Sequence, residues 1–271
     1  MAGLGSGSAT ERVETWSMTT PPVLPGAEPL SHVGTTDVGV LVLHGFTGNP
    51  ISMRGLADAM VGAGHSVEMP LLPGHGTTID DMLDTTWADW SAEVAAAHGR
   101  LVERSKRIVV MGLSMGGALT LWSGLNLDDI DGLVCINAVT MAPAPEVVEM
   151  ISEMVADGTE IAPAISGDIA DPDANENGYD GTPLRAALSM MNDGLAPMTN
   201  RFGELTMPLL LITSRQDHTV EPANSEHLAA TYGGEVEHVW LERSYHVATL
   251  DYDADDINRR AGEFVARVTA G

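Results

Sequence analysis

The sequence predicts an α/β protein with a mostly parallel central sheet, helices on both faces and an inserted helical cap. Buried-strand patterns alternate with helical patterns along most of the 271 residues. The alternation stops between residues 139 and 202, where helical patches occur without a clear strand, and then resumes. We therefore expect a core built from 29–138 and 203–271, a cap or lid over 139–202, and a mobile N-terminal lead over 1–28.

The predicted strands are apolar runs, most of them rich in valine, isoleucine and leucine, a composition typical of strands buried on both faces. They span 38–45, 65–70, 108–111, 132–137, 207–214 and 236–241. The predicted helices carry apolar residues at a helical period. They span 51–62, 87–104, 115–125, 145–155, 184–192, 222–231 and 253–268. Because strand and helix alternate, the sheet is expected to be parallel, with its functional residues at the carboxyl ends of the strands.

The chain is strongly acidic, with 38 Asp and Glu against 13 Lys and Arg, and its formal net charge is −25. Such a surface repels nucleic acid phosphates and anionic membranes, so neither is an expected partner. The single cysteine, Cys135, lies in the apolar run GLVCIN and has no second cysteine with which to pair. We expect it to be buried and unreactive.

No segment predicts export or membrane insertion. Residues 1–29 lack the basic start and apolar stretch of a secretory signal, and no apolar run reaches the length of a membrane span. We therefore expect a cytoplasmic protein without a stable membrane anchor.

The motif GLSMG at residues 112–116 places Ser114 between a predicted strand and a predicted helix. A serine at this turn is a candidate nucleophile of the G-x-S-x-G type, with its Oγ raised above the sheet edge. Gly112 and Gly116 support the turn, because residues without a Cβ let strand and helix pack closely around a strained backbone. The alternative is a glycine-rich packing turn without chemistry.

A serine hydroxyl becomes a good nucleophile when a base takes its proton and a carboxylate orients that base. In this architecture the chain order is serine, acid, histidine. Asp217 follows strand 207–214 and His246 follows strand 236–241, so both reach the sheet edge at which Ser114 lies. The sequence therefore predicts a catalytic triad of Ser114, Asp217 and His246.

Other carboxylates and histidines fit these roles less well. The rival acids are Glu221, Asp193 and Asp251, and the rival histidines are His218, His227 and His238. None of the acids follows a predicted sheet strand so closely on the correct side of the base. One histidine comes too early in the chain order, and the other two lie inside a helix and a strand, where a structural histidine is the simpler interpretation.

Attack on a carbonyl creates an oxyanion, which backbone N–H groups must stabilise. Met115, the residue after the nucleophile, supplies one predicted donor, and Phe46 in the stretch HGFTG supplies the second. Gly45 and His44 are expected to support this loop. His44 would do so through hydrogen bonds rather than as a base, and the same structural interpretation applies to His75 in PGHG.

Five stretches together resemble the small bacterial carboxylesterases and monoacylglycerol lipases of the α/β-hydrolase superfamily. They are HGFTGNP, PLLPGHG, GLSMGG, SRQDHTVEP and SYHVATLD, and the resemblance extends over about residues 36–268. It implies hydrolysis of short- to medium-chain acyl esters without a cofactor or a metal, with monoacylglycerols among the candidate substrates. It also implies Ser114 as nucleophile, Asp217 as acid, His246 as base, and Phe46 with Met115 as oxyanion donors.

Two other classes of function stay open at this point. The same triad could serve a thioesterase, an acyltransferase or a carbon–carbon hydrolase, and matched ester and thioester substrates would discriminate between these reactions. A hydrolase-like binding protein without activity is the third interpretation. Its usual mark is loss of the nucleophile or the histidine, and both are present here.

The predicted cap carries six of the fifteen methionines, at positions 141, 150, 154, 190, 191 and 198. Flexible thioethers line pockets for varied acyl chains, but they also pack helices onto a core, and both interpretations stay open. The stretch DANENG at 173–178 matches the first half of a calcium-binding loop. Because Leu184 occupies the position of the bidentate glutamate, we expect a solvated acidic loop instead.

Overall fold

A seven-stranded sheet forms the centre of the protein, for which the computed structural model describes residues 21–165 and 167–270. In chain order the strands of the described residues are β1 (Leu30–His32), β2 (Val38–Leu43), β3 (Ser66–Met69), β4 (Arg107–Leu113), β5 (Gly132–Ile136), β6 (Ile161–Pro163), β7 (Gly181–Pro183), β8 (Leu209–Ser214) and β9 (Val236–Leu241). Two of these strands, β6 and β7, form a separate small sheet. The main sheet has the order β1-β3-β2-β4-β5-β8-β9. Within this main sheet β1 is antiparallel to β3, and all the other neighbouring strands are parallel to each other.

Helices cover both faces of this sheet. They are α1 (Arg54–Gly62), α2 (Trp87–Val102), α3 (Met115–Asn126), α4 (Pro145–Ala156), α5 (Leu184–Ser189), α6 (Ala196–Met198), α7 (Ala223–Thr231) and α8 (Ala254–Val268). Short 3-10 turns lie at Pro50–Met53, Ile79–Met82, Phe202–Glu204 and Ala248–Leu250, and a π-helical turn lies at Met190–Leu195. The predicted fold class, a mostly parallel sheet with helices on both faces, is confirmed.

Two apolar clusters hold the layers together. One packs α1 and α8 against the side of the sheet that carries Val40, Val109 and Ile212. The other packs α2 and α3 against the opposite side, and Trp90 is its largest fully buried side chain. Because β2, β4, β5 and β8 are covered on both faces, their residues are almost all buried, which explains their unbroken apolar sequences.

The sheet register brings the carboxyl ends of the central strands to one edge. Gly112 of β4 pairs with Leu43 of β2, and Leu113 pairs with Ile136 of β5. Further along the edge, Ser214 pairs with Leu241, so β8 and β9 end at the same level. The loops that follow these strands therefore meet above one edge of the sheet.

The segment proposed as the cap, 139–202, lies between β5 and β8 and shares a core with the sheet. Its residues Ala187, Met190 and Met198 belong to the same apolar cluster as Trp87 and Trp90 of α2. The expectation of no strand in this segment is wrong, since β6 and β7 form a two-stranded antiparallel sheet. Each of these strands has three residues and ends in a proline, so neither gives a periodic signal in the sequence.

The predicted N-terminal lead is only partly described. Residues 1–20 lie outside the described residues, so their predicted mobility is untested. Residues 21–28 contact the core, since Leu24 donates its N–H to Gly76 O over 2.8 Å and Ala27 is fully buried, and their predicted mobility stays a prediction. Strand β1 follows directly. It is the single antiparallel strand that precedes β2 within the described residues.

Candidate active site

Ser114 lies at a sharp turn between β4 and α3. Its backbone has φ 56° and ψ −119°, a conformation that a residue with a side chain rarely adopts. Its N–H donates to Ile136 O of the neighbouring strand over 3.0 Å, which fixes the turn against β5. A Cβ at Gly112 would lie 2.2 Å from Gly116 O, and one at Gly116 would lie 2.2 Å from Leu43 O. Only glycine therefore fits at the positions two residues before and two residues after the serine.

The other two predicted triad members are in contact. The Nδ1 of His246 and the Oδ2 of Asp217 are 2.8 Å apart, and their side chains are 7% and 1% exposed. The second carboxylate oxygen of Asp217 accepts the N–H groups of Thr219 and Val220 over 2.9 and 2.7 Å. The carboxylate is thus fixed by its own loop while it accepts from the imidazole. This arrangement leaves His246 Nε2 as the nitrogen available to a serine hydroxyl.

Asn137 holds the backbone of His246 by a hydrogen bond, and the sequence analysis did not identify this residue. Its side-chain N–H₂ group donates to His246 O over 2.7 Å, and its Oδ1 accepts the N–H of Ser214 over 2.7 Å. It follows β5 directly, is 1% exposed and has φ 43°. The signal that could have identified it is a polar residue at the end of the apolar run GLVCI, on the edge that holds the site.

The loop after β2 lies beside Ser114. A Cβ at Gly45 would lie 3.3 Å from Ser114 Cβ, so this glycine permits the close approach. Phe46 and Met115, the residues proposed to donate backbone N–H groups, both line the cavity at the serine. Met115 is the first residue of α3, a position at which the N–H has no acceptor within the helix.

His44 joins this loop to the loop after β3. Its Nδ1 is 3.0 Å from Gly45 O, and its Nε2 accepts the N–H of Leu72 over 3.2 Å. Complete burial, together with the neighbouring His75, lowers the pKa of His44 to about 3. Burial likewise lowers the pKa of His75 to about 4. Both rings are therefore neutral at pH 7, and His75 packs edge to face against Phe46 and Trp90.

A cavity of about 170 Å³ contains the candidate nucleophile and base. Its walls come from three parts of the chain: the core edge, the proposed cap and the loop of Asp217. The lining residues are Phe46, Ser114, Met115, Val139, Ile165, Met190, Thr219, Val220 and His246. Apart from the serine, the threonine and the histidine, these side chains are apolar, so the walls suit an apolar acyl group.

A buried carboxylate lies close to the site and was missed in the sequence. Glu176 is 5% exposed, its Oε1 accepts the N–H of Gly167 over 2.8 Å, and a Cβ at Gly48 would lie 3.1 Å from its Oε2. Burial raises the pKa of Glu176, an effect that the neighbouring His246 opposes. The expectation of a solvated loop at 173–178 is therefore wrong at this residue.

The same loop is fastened to the loop after β2. Asn49 Nδ2 donates to the carbonyl oxygens of Glu176 and Asn177, each over 3.0 Å. Tyr179 donates its N–H to Thr47 O over 3.0 Å. These contacts hold the loop of Glu176 against the loop after β2.

The rival residues have other partners. Asp251 accepts backbone N–H groups from Ala170, Asp171, Tyr245 and Tyr252, and Asp193 accepts from the Ser189 hydroxyl, while Glu221 is exposed. His238 Nε2 is 2.9 Å from Thr213 Oγ1, and His227 Nε2 is 3.2 Å from Thr199 O. His218 is 59% exposed and pairs with Asp168. These contacts agree with structural rather than chemical roles for the two histidines within regular elements.

Among the methionines of the proposed cap, one lines the cavity and others pack into the core, so each of the two predicted roles is found. Met190 lines the cavity, and Met198 is buried in the core. Met150 lies on α4 and is 53% exposed, so it serves neither purpose in this conformation. Cys135 is buried on β5, and burial raises the pKa of its thiol far above the usual range, which makes it a poor nucleophile.

Comparison with known proteins places this site in a family. The sequence matches the alpha/beta hydrolase family model over residues 40–260, so the chain belongs to that family. It is 42% identical over 250 residues to a thermostable monoacylglycerol lipase of Bacillus sp. (strain H-257), covering 91% of this chain and 97% of that one. It is 28% identical over 238 residues to a carboxylesterase of Bacillus subtilis (strain 168), covering 86% and 94%.

Solved structures agree. A structure from work on LipS and LipT, two metagenome-derived lipolytic enzymes, has a TM-score of 0.84 and 41% identity, and the match covers 91% of this chain and all of that one. The monoacylglycerol lipase of Paleococcus ferrophilus has a TM-score of 0.71 at 15% identity over 89% of this chain, and that likeness concerns the fold. Among the described helices of this protein, none is long and apolar enough to cross a membrane.

Proposed function

We propose that this protein is a serine hydrolase of carboxylic acid esters, with short- to medium-chain acyl esters as substrates. The class of ester hydrolase predicted from the sequence is confirmed by the similarity to an esterase and to lipolytic enzymes over most of the chain. The observation that carries the mechanism is the pair of His246 and Asp217, 2.8 Å apart and buried, beside the cavity that holds Ser114.

In the proposed reaction, His246 takes the proton of the Ser114 hydroxyl as the serine oxygen attacks the ester carbonyl. Asp217 fixes the imidazole with Nδ1 protonated and stabilises its positive charge. The backbone N–H groups of Phe46 and Met115 stabilise the oxyanion. The alcohol leaves with the proton from His246, and a water molecule activated by the same histidine then hydrolyses the acyl-enzyme.

The acyl chain length follows from the cavity. Its volume of about 170 Å³ is below the usual range for ligand sites, which begins near 300 Å³. We therefore expect turnover to be highest for short and medium acyl chains, and to fall for chains that need Ile165 and Met190 to move apart.

Monoacylglycerols are the proposed natural class of substrate. The lipase of Bacillus sp. that is 42% identical to this chain carries that activity in its name. We assign recognition of the alcohol to Glu176, whose carboxylate lies beside Gly48 and near His246 and can accept hydrogen bonds from the hydroxyl groups of a polyol. A cytoplasmic location stays a proposal from the sequence, and cell fractionation would test it.

A chain-length series of p-nitrophenyl esters beside 1-monoacylglycerols tests the activity. Replacement of Ser114 by alanine, with folding checked by circular dichroism, should lower kcat by at least about 10³-fold on every ester. A folded wild-type protein without turnover on any ester, which also fails to react with a serine-directed phosphonate, would leave only a binding role. A parallel thioester series compares the two leaving groups.

The variant Glu176→Gln tests whether Glu176 recognises the alcohol part of the substrate rather than its acyl part. It should raise KM or lower kcat/KM for 1-monoacylglycerols at least about tenfold, whereas p-nitrophenyl esters of the same acyl chain change less than about threefold. An equal loss of kcat/KM on both substrates would show that Glu176 does not recognise the alcohol part of the substrate.

A further inference from the structure

We propose that Asp168 is a positioning residue, which holds the loop of Asp217 and the loop of His246 in their relative places. This inference rests on the proposed function and deepens it. The acid loop is defined here as residues 215–222, between β8 and α7, and the histidine loop as residues 242–247, after β9. Asp168 belongs to neither, since it lies in the segment proposed as the cap.

One carboxylate contacts both loops. Asp168 Oδ2 accepts the N–H of His218 over 3.0 Å and the N–H of His246 over 3.2 Å. Its Oδ1 is 2.8 Å from His218 Nδ1, and its backbone carbonyl accepts the N–H of Val247 over 3.0 Å. The Asp168 side chain is 17% exposed, and its contact with the N–H of His246 is partly buried, whereas its contacts with His218 lie at the surface.

The partners are adjacent to the catalytic groups along the chain. His218 follows Asp217 directly, so two contacts of Asp168 fix the residue beside the proposed acid. The third side-chain contact is with the backbone of the proposed base itself. A displacement of either loop by about 1 Å would lengthen the Asp217–His246 hydrogen bond, and errors of that size in a catalytic constellation cost about 10²-fold in rate.

Asp168 is itself held in place from the other side. The next residues of its segment, Ala170 and Asp171, donate their N–H groups to the carboxylate of Asp251 over 2.8 and 3.1 Å. On the N-terminal side, Gly167 donates its N–H to Glu176. The segment 167–171 therefore forms a fixed brace across the two catalytic loops, and its one carboxylate aimed at both loops is that of Asp168.

The test compares three variants on one p-nitrophenyl ester. Asp168→Ala removes all three side-chain contacts. Asp168→Asn removes the charge but keeps a carbonyl oxygen that can accept both backbone N–H groups. Asp171→Ala is the matched control on the same brace, because among the described residues the side chain of Asp171 accepts only the N–H of Asp173, over 3.0 Å.

We expect Asp168→Ala to lower kcat at least about tenfold with KM changed less than about twofold, since it loosens the catalytic groups and leaves the acyl cavity intact. Asp168→Asn should recover kcat to within about threefold of wild type, and Asp171→Ala should match wild type. Wild-type kcat in a folded Asp168→Ala variant would overturn the proposal. An equal loss of kcat in Asp171→Ala, or a rise in KM without a loss of kcat, would also overturn it.

Two controls keep these outcomes distinct. Thermal unfolding establishes that each variant is folded at the assay temperature. Should Asp168→Ala not fold, Asp168→Ser takes its place, because a shorter side chain reaches the two N–H groups less well, and wild-type kcat in that variant overturns the proposal. Absence of turnover in wild type would instead contradict the proposed ester hydrolysis, whatever the variants do.

Discussion

At the scale of single residues, the candidate site depends on positions where only one type of residue fits. Ser114 has φ 56°, and its backbone is forced into this conformation by contacts on both sides. Gly116 abuts the carbonyl of Leu43, and Gly112 abuts Gly116. The strain of the turn is thus balanced by the packing of β2, β4 and α3, which the glycines make possible.

Gly116→Ala tests this balance. The added Cβ would lie 2.2 Å from a backbone oxygen, which cannot move without separating α3 from β2. We expect the free energy of unfolding to fall by about 3 kcal/mol or more and ester hydrolysis to be lost. The matched control is Gly99→Ala in α2, where a Cβ would meet nothing within 4 Å. That change should stabilise the protein by about 0.5–1 kcal/mol, as measured by urea unfolding. Similar effects of the two changes would contradict the packing argument.

The sequence predicted the proposed triad but not the residues that hold it. Ser114, Asp217 and His246 each follow a strand, so their common edge could be deduced from chain order. The contacts of Asn137 with His246, of Asp168 with His246 and of the Glu176 carbonyl with Asn49 join segments that are far apart in sequence. Because no local pattern records such contacts, they became visible only in the folded structure.

At the scale of elements, long periodic segments were predictable and short ones were not. The predicted helices over 87–104 and 253–268 correspond to α2 and α8, with ends displaced by up to two residues. Strands β1, β6 and β7 have three residues each, too few for an alternating pattern. The predicted helix over 184–192 ends early as α5, and a π-helical turn continues from it. Tertiary contacts, rather than local preference, determine these pieces.

The two buried histidines tie the loops after β2 and β3, and they should make stability depend on pH. In the folded protein their pKa values are lowered to about 3 and about 4, whereas an unfolded histidine titrates near 6.5. The unfolded chain therefore binds more protons below pH 6.5. The stability that neutral His44 and His75 provide is complete above that pH and is lost progressively as the pH falls towards 4.

A comparison of wild type with His75→Gln measures this effect. Between pH 7.5 and pH 5, protonation in the unfolded state should cost wild type about 2 kcal/mol per histidine. The variant retains one of the two, so its free energy of unfolding should fall by about 2 kcal/mol less over that range in urea titrations. His32→Gln, a change at a partly exposed histidine of β1, is the control. The same fall in wild type and in His75→Gln would show that His75 is not kept neutral by burial.

At the scale of the whole molecule, charge is the dominant feature. The ion pairs of the described residues use most of the few cations, as with Arg100 and Arg104 on Glu68 and Arg259 on Asp256. With 38 acidic residues against 13 basic ones, most carboxylates have no cation with which to pair. Mutual repulsion of the remaining carboxylates therefore opposes the compact state.

Salt should for this reason stabilise the protein. Raising NaCl from 0.01 to 0.5 M shortens the screening length from about 30 Å to less than about 10 Å, which weakens repulsion across the surface. Exposed ion pairs are weakened as well, but each contributes only about 0–1 kcal/mol, and they are outnumbered by unpaired carboxylates. We expect Tm to rise by about 5 °C over this range at pH 7.5. Tetramethylammonium chloride should give a similar rise if general screening is the cause. A Tm that falls with added salt would mean that the ion pairs, rather than the net charge of −25, dominate the electrostatic contribution to folding.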